Sequence, residues 1–167
     1  MISQAKYLLN KINDFERRLA NIERHSQMRN SLYLGDTAFR VDSGPRQWTT
    51  NATWTNINSS IFKIRGSDFQ LTKVYFEVLG CVETSGRTAY FRIYNVTDSE
   101  ALSGSEVSTT AVSNDGEGWI NAELIRSDAI TFPTDEKEYR LQFKQSVAGG
   151  AGDATQFFKG ALIYKQD

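Results

Sequence analysis

The chain has one cysteine, one histidine, two prolines and two methionines among its 167 residues. A single thiol, Cys81, can form no intrachain disulfide and no multi-cysteine metal site. Its setting, the apolar run VYFEVLGCVE, predicts a buried structural thiol rather than a nucleophile. The lone histidine, His25, lies in the amino-terminal stretch, so one chain assembles no Ser-His-Asp triad, Cys-His pair or two-histidine metal site in its β-rich part. Long hydrophobic runs are absent too. None reaches the roughly 20 residues of a membrane span, and no amino-terminal stretch has the form of a signal peptide. The expectation is a protein made in a cytoplasm without membrane insertion, in which the sequons at Asn51, Asn58 and Asn95 are accidents of a Ser/Thr/Asn-rich composition. Finally, there is no excess of one charge. The formal net charge of -1 gives no overall pull toward nucleic acid or anionic membrane.

What is present is enough apolar material for one core, with 40% hydrophobic and 12% aromatic residues. Basic residues are concentrated in residues 1–29, where Lys6, Lys11, Arg17, Arg18, Arg24 and Arg29 outnumber Asp14, Glu16 and Glu23. They interleave with the acids at pairing distances, which predicts a solvated helix surface and no nucleic-acid partner.

The same stretch has no proline or glycine up to Met28, and its apolar residues Ala5, Leu8, Ile12, Phe15, Leu19 and Ile22 are spaced by alternating threes and fours. This is a heptad seam, with Ala5, Ile12 and Leu19 at a and Leu8, Phe15 and Ile22 at d. A helix packed on a globular core shows a broader stripe, whereas here only Leu9 is apolar among the flanking e and g positions. Parallel pairing sets Lys11 against Glu16 and Arg18 against Glu23, opposite in sign; antiparallel pairing sets like charges together. Leucine at a with isoleucine at d, the Leu19 and Ile22 pair, shifts preference from two strands to three or four. The hexapeptide RLANIE, Arg18 to Glu23, resembles the short trimerisation motif of parallel three-stranded coiled coils, and KINDFE is a weaker copy one heptad earlier. A helix folded back on its own domain is the alternative. Because a coil of about three heptads is marginal alone, the following domain is expected to share the trimer interface.

From Asn30 to Ser59 the chain turns polar, with one Gly-Pro turn, and reads as a linker with short irregular strands. Beyond it the period becomes two. KVYFEV places Val74, Phe76 and Val78 on one face; TAYFRIYNV does so with Ala89, Phe91 and Ile93; EYRLQFKQ does so with Tyr139, Leu141 and Phe143. TQFFKGALIYK is apolar on both sides, as in a central strand or one buried against a neighbouring subunit. Turn signals between these runs, among them ETSGR, SNDGEG, FPTDEKE and VAGGAGDA, complete the pattern of an antiparallel β-sandwich, jelly-roll-like in its many short strands. The expected organisation is a coiled-coil trimerisation helix over 1–29, linker and short strands over 30–59, and a β-sandwich over 60–167.

Chemistry-bearing residues are sparse. The carboxylates Glu77, Glu83, Asp98, Glu106, Asp115, Glu117 and Glu123 mostly fall in turns or at outward strand positions, where solvation is the ordinary role, so no catalytic pair is assigned. NDGEG lacks the spaced ligands of a calcium loop, and no metal or cofactor is expected. Aromatic residues offer more. Tyr90, Arg92 and Tyr94 share the face opposite Phe91 and Ile93, Trp48 and Trp54 flank a Thr/Asn-rich stretch, and Trp119 follows a glycine-rich turn. Rings beside hydrogen-bonding groups suit sugar recognition; cross-strand pairing and core packing are the competing roles.

A short parallel trimeric coil followed by a compact β-sandwich resembles the fibre, spike and receptor-binding proteins of tailed bacteriophages and the trimeric decoration proteins of their capsids. RIYNVTDSEALSGSEVST resembles a strand-turn-strand segment of small sandwich modules in phage structural proteins. The resemblance implies a non-enzymatic virion protein, partnered by other virion proteins and, in the receptor-binding type, by a host surface glycan or protein. Three equivalent weak sites would gain avidity through effective concentration.

Light scattering coupled to size exclusion should give three times the chain mass, and a monomer mass would end the trimer assignment. Ile22→Asp, which buries carboxylates in the seam, should weaken assembly far more than Glu23→Ala at the exposed ion pair.

Overall fold

The computed structural model describes residues 31–34, 47–69, 72–113, 121–150 and 152–166. The heptad stretch with its trimerisation residues lies outside the described residues, as do Trp119 and the NDGEG turn. Among the described residues no helix is long and apolar enough to cross a membrane.

The strands, in chain order, are β1 (Ser31–Leu34), β2 (Gln47–Thr49), β3 (Thr55–Asn56), β4 (Phe62–Arg65), β5 (Thr72–Val82), β6 (Ala89–Asn95), β7 (Glu100–Ala101), β8 (Val107–Thr109), β9 (Glu123–Ile130), β10 (Glu136–Gln145) and β11 (Thr155–Gln166), with a short 3-10 turn at Gly66–Phe69. They form two antiparallel sheets packed as a sandwich. The first has the order β1-β11-β5-β9, with β2 also on β11; the second has the order β3-β10-β6-β7, with β4 also on β10 and β8 on β6. From β5 to β6, from β8 to β9, from β9 to β10 and from β10 to β11 the chain passes from one sheet to the other. β2 and β3, which fall in the stretch expected as linker and short irregular strands, are members of these sheets. They pair with β11 and β10, which would otherwise leave backbone donors and acceptors unmatched there.

The period-two segments meet across the gap between the sheets. Val74, Phe76 and Val78 of β5 and Phe157 and Leu162 of β11 face Phe91 and Ile93 of β6 and Tyr139, Leu141 and Phe143 of β10, all buried in one cluster. β11 has strand neighbours on both edges, and Phe158 and Ala161 are buried as well as Phe157 and Leu162. At Gly80 the facing sheet leaves no room for a side chain. A Cβ there would stand 2.5 Å from Phe91 Cζ, and the Phe91 ring lies 6.3 Å from that of Phe157. Elsewhere in the core Tyr139 stacks on Phe62 at 5.7 Å and meets Phe132 edge-on at 5.1 Å. Burial, with a smaller contribution from the charge of Asp98, pushes the Tyr139 hydroxyl up to about 12.

Three buried serines solve one recurring problem. A long strand paired with two short ones has a gap between them where its amides lack a ladder partner. Between β3 and β4, the Ser60 hydroxyl accepts from Leu141 N at 3.1 Å and donates to Ile57 O at 2.6 Å. Between β7 and β8, the Ser105 hydroxyl accepts from Ile93 N at 3.1 Å and donates to Leu102 O at 2.7 Å. At the register shift of β5 against β9, Ser127 accepts from Phe76 N at 2.9 Å. Each hydroxyl replaces a missing backbone carbonyl.

Removing one of these hydroxyls should leave a buried amide unsatisfied, so Ser105→Ala should lower unfolding free energy by about 1–3 kcal/mol in urea titration. Tyr139→Phe should cost nothing comparable, because the Tyr139 hydroxyl is buried without a hydrogen-bond partner among the described residues.

Candidate functional site

The ladder that packs Phe91, Ile93, Leu141 and Phe143 inward sends the alternate residues of β6 and β10 to the outer face of the six-stranded sheet. Its register sets Tyr90 opposite Lys144, Arg92 opposite Gln142 and Tyr94 opposite Arg140. β3 continues the sheet beyond β10, pairing Asn56 with Gln142 and Thr55 with Phe143. Trp54, one residue before β3, therefore reaches the same outer face beside Lys144 and extends across β10 to β6.

The result is a row of alternating rings and cations. The Arg92 Cζ lies 4.0 Å from the centroid of the Trp54 ring and 5.5 Å from that of Tyr94. The Lys144 Nζ lies 4.6 Å from the Trp54 centroid and 5.0 Å from that of Tyr90. Each such contact is worth about 0.5–1 kcal/mol at an exposed site and ~2 kcal/mol when water is excluded. The Arg92 Nε donates to Gln142 Oε1 at 2.9 Å, and Gln142 Nε2 donates to Asn56 Oδ1 at 2.9 Å, so the guanidinium is held by a chain of amides. Burial lowers the Arg92 pKa from its ordinary value, opposed by the charges of Glu106 and Tyr94, and an arginine still carries its charge at neutral pH. Trp54, Tyr90, Arg92, Tyr94 and Lys144 are all half-buried.

The loop that delivers Trp54 is the Thr/Asn-rich stretch itself. The Asn51 backbone N–H donates to Thr49 Oγ1 at 3.2 Å, Asn51 Nδ2 donates to Thr55 Oγ1 at 3.2 Å, and the Thr49 and Thr55 hydroxyls lie 3.3 Å apart. Its backbone is tied down as well, with Gln145 N on Asn51 O and Gly149 N on Thr50 O, both at 2.8 Å. These polar groups hold the crossing between the sheets. The VAGGAGDA loop beside it is secured through Asp153, which pairs with Arg87 at 2.8 Å and accepts from Gln145 Nε2 at 3.2 Å.

Of the sequence-derived ligand candidates, Trp54, Tyr90, Arg92 and Tyr94 come together. Trp48 does not. It pairs with Gln156 in the other sheet, on that sheet's outer face, and is 62% exposed. Lys144, Gln142, Asn56 and Arg140 were not among the candidates, although the outward phase of EYRLQFKQ carries three of them at the same spacing that marked its inward phase. The described carboxylates serve mainly in structural contacts: Glu77 with Arg126 at 2.5 Å, Asp98 with Lys137 at 3.0 Å, Glu83 with Ala154 N at 3.0 Å and with Gln156, and Glu123 with Thr109. Among the described residues no group of three metal-ligating side chains converges.

No family model matches the chain, and no curated protein matches it. Similar solved structures include the insecticidal delta-endotoxin Cry8Ea1 of Bacillus thuringiensis, at TM-score 0.49 and 11% identity over 74% of this chain and 20% of that one. They also include the VP2 subviral particle of infectious bursal disease virus, at TM-score 0.42 and 10% identity over 81% of this chain and 32% of that one. A third is the carbohydrate-binding module CBM36 in complex with calcium and xylotriose, at TM-score 0.42 and 10% identity over 81% of this chain and 98% of that one. The chain thus spans less than a third of the length of the endotoxin and of the viral protein.

A double-mutant cycle with Trp54→Ala and Lys144→Met, read by urea unfolding, should return a favourable coupling of about 0.5–1 kcal/mol. Strict additivity would mean that the ring and the ammonium do not interact in solution.

Proposed function

We propose that this chain is a non-enzymatic adhesion protein of a virion, a tail-fibre or receptor-binding module of phage type. In this reading it acts as a homotrimer and holds a host surface glycan on the outer face of its six-stranded sheet. The observation that carries the reading is the convergence of Trp54, Tyr90 and Tyr94 with Arg92 and Lys144 on one partly exposed surface. An aromatic ring suits the C–H face of a pyranose, and flanking donors suit its oxygens. The repeated crossings between the sheets fit the jelly roll expected from the sequence, a fold with well-supported outer faces. The heptad and RLANIE support the trimer, and three copies of a shallow site compensate for weak single contacts.

A second reading, a capsid decoration or other assembly protein without receptor binding, is favoured by a different surface. Trp48 and Leu124 are 62% and 61% exposed on the outer face of the five-stranded sheet, where Leu124 pairs with Leu79. Exposed apolar groups on one face suit contact with another virion protein.

A glycan array carrying bacterial surface polysaccharides separates the readings. The intact chain should bind a subset of them, Trp54→Ala should lose that binding by about tenfold or more, and the bound polysaccharides should keep their length. Silence across the array overturns adhesion in favour of the assembly role, and shortened polysaccharide would point to a glycan-degrading enzyme.

A further inference from the structure

We infer that the patch on the six-stranded sheet is selective for acidic glycans, sugars bearing a carboxylate such as uronic acids, over neutral ones. This rests on the glycan-binding reading above and adds the ligand's charge to it. The first observation is a contrast in pairing. Arg87, Arg126 and Lys137 each meet a carboxylate, at 2.8, 2.5 and 3.0 Å. On the patch, Arg92, Lys144 and Arg140 have no carboxylate partner among the described residues, although Glu106 acts on Arg92 through its charge. The Arg140 Nε, in addition, is buried with no hydrogen-bond partner.

The second observation concerns donors and acceptors. A neutral sugar hydroxyl both donates and accepts, so a site that serves it offers both kinds of group. Here each amide acceptor already takes one proton, Gln142 Oε1 from Arg92 Nε and Asn56 Oδ1 from Gln142 Nε2, which leaves one lone pair on each. Beyond these lone pairs and the Glu106 carboxylate that acts on Arg92, the face carries donors, the two terminal nitrogens of Arg92, the Lys144 ammonium and the Asn56 amide nitrogen, with Tyr90 and Tyr94 hydroxyls able to take either role. A carboxylate only accepts, and the paired terminal nitrogens of a guanidinium match its two oxygens. Trp54 and the Gln142 hydrogen bond hold Arg92 in place before any ligand arrives, so less side-chain freedom is lost on binding.

A long polyphosphate fits this face less well. The outward phase of β10 carries Glu136 and Glu138 beyond Arg140, opposite Arg65 and Lys63, so the unpaired positive charge is confined to an area the size of a few side chains. A short stack of ring and cation suits one acidic sugar residue within a chain.

The test uses the full-length chain and three immobilised probes, polygalacturonate, its carboxyl-reduced counterpart and duplex DNA, at fixed salt. Polygalacturonate should bind about tenfold or more tightly than the reduced polymer. Arg92→Gln and, separately, Lys144→Gln should each lower affinity for the acidic polymer by about tenfold and by a clearly larger factor than for the reduced polymer, with urea midpoints confirming that both variants fold. Equal affinity for the two polymers overturns the inference and leaves the glycan reading standing. DNA binding as tight as polygalacturonate binding overturns it in favour of unspecific attraction to polyanions. Failure to bind polygalacturonate also overturns it, and neutral glycans on the array then decide whether the broader reading survives.

Discussion

The pairing of β6 with β10 is the constraint on which both core and surface depend. Seven residue pairs, from Tyr139 with Asn95 to Gln145 with Ala89, run in unbroken antiparallel register. On one side this register places Phe91 beside Phe143 and Ile93 beside Leu141, within the buried cluster that faces β5 and β11. On the other side it places Tyr90 beside Lys144, Arg92 beside Gln142 and Tyr94 beside Arg140. Because a strand alternates faces at every residue, a slip by one would bury the cations and expose the phenylalanines. The cost of burying those charges thus helps hold the outer face in register, and that face depends on the core in the same way.

Around this ladder, the interruptions are managed by small polar groups in fixed places. Short strands leave gaps beside β10 and β6, and the pairing of β5 with β9 shifts register; Ser60, Ser105 and Ser127 fill these interruptions. Gly80 lets Phe91 sit against the opposite sheet. The crossing from β2 to β3 is tied by Thr49, Asn51 and Thr55 to itself and by backbone hydrogen bonds to the last residue of β10 and the chain after it. This last set of ties fixes the loop that leads into Trp54, whose ring lies against Arg92 and Lys144.

The inward faces of β5, β6 and β10 were legible in the sequence because burial on one face imposes a strict period of two, and a period needs no knowledge of neighbours. Cys81 was legible for a similar reason, an apolar setting, and it is buried. The heptad at the amino terminus is equally periodic and lies outside the described residues. The roles of the serines were not legible, because a serine that repairs a ladder gap looks the same in sequence as one in a turn. The Thr/Asn-rich stretch read as possible ligand surroundings, and its hydrogen bonds run among its own groups and to Gln142, Gln145 and Gly149.

The local pattern alone determined which residues of each long strand go inward, that Tyr90, Arg92 and Tyr94 share the opposite face, and that the chain makes a β-sandwich. Only the tertiary structure decided which strands are neighbours. That choice brought Lys144 and Gln142, some fifty residues away along the chain, beside Arg92. It also sent Trp48 and Trp54 to different sheets although only a short loop divides them. The physical reason is that alternation is a property of one strand, whereas adjacency follows from how two sheets close over a shared core, and no single segment carries that information.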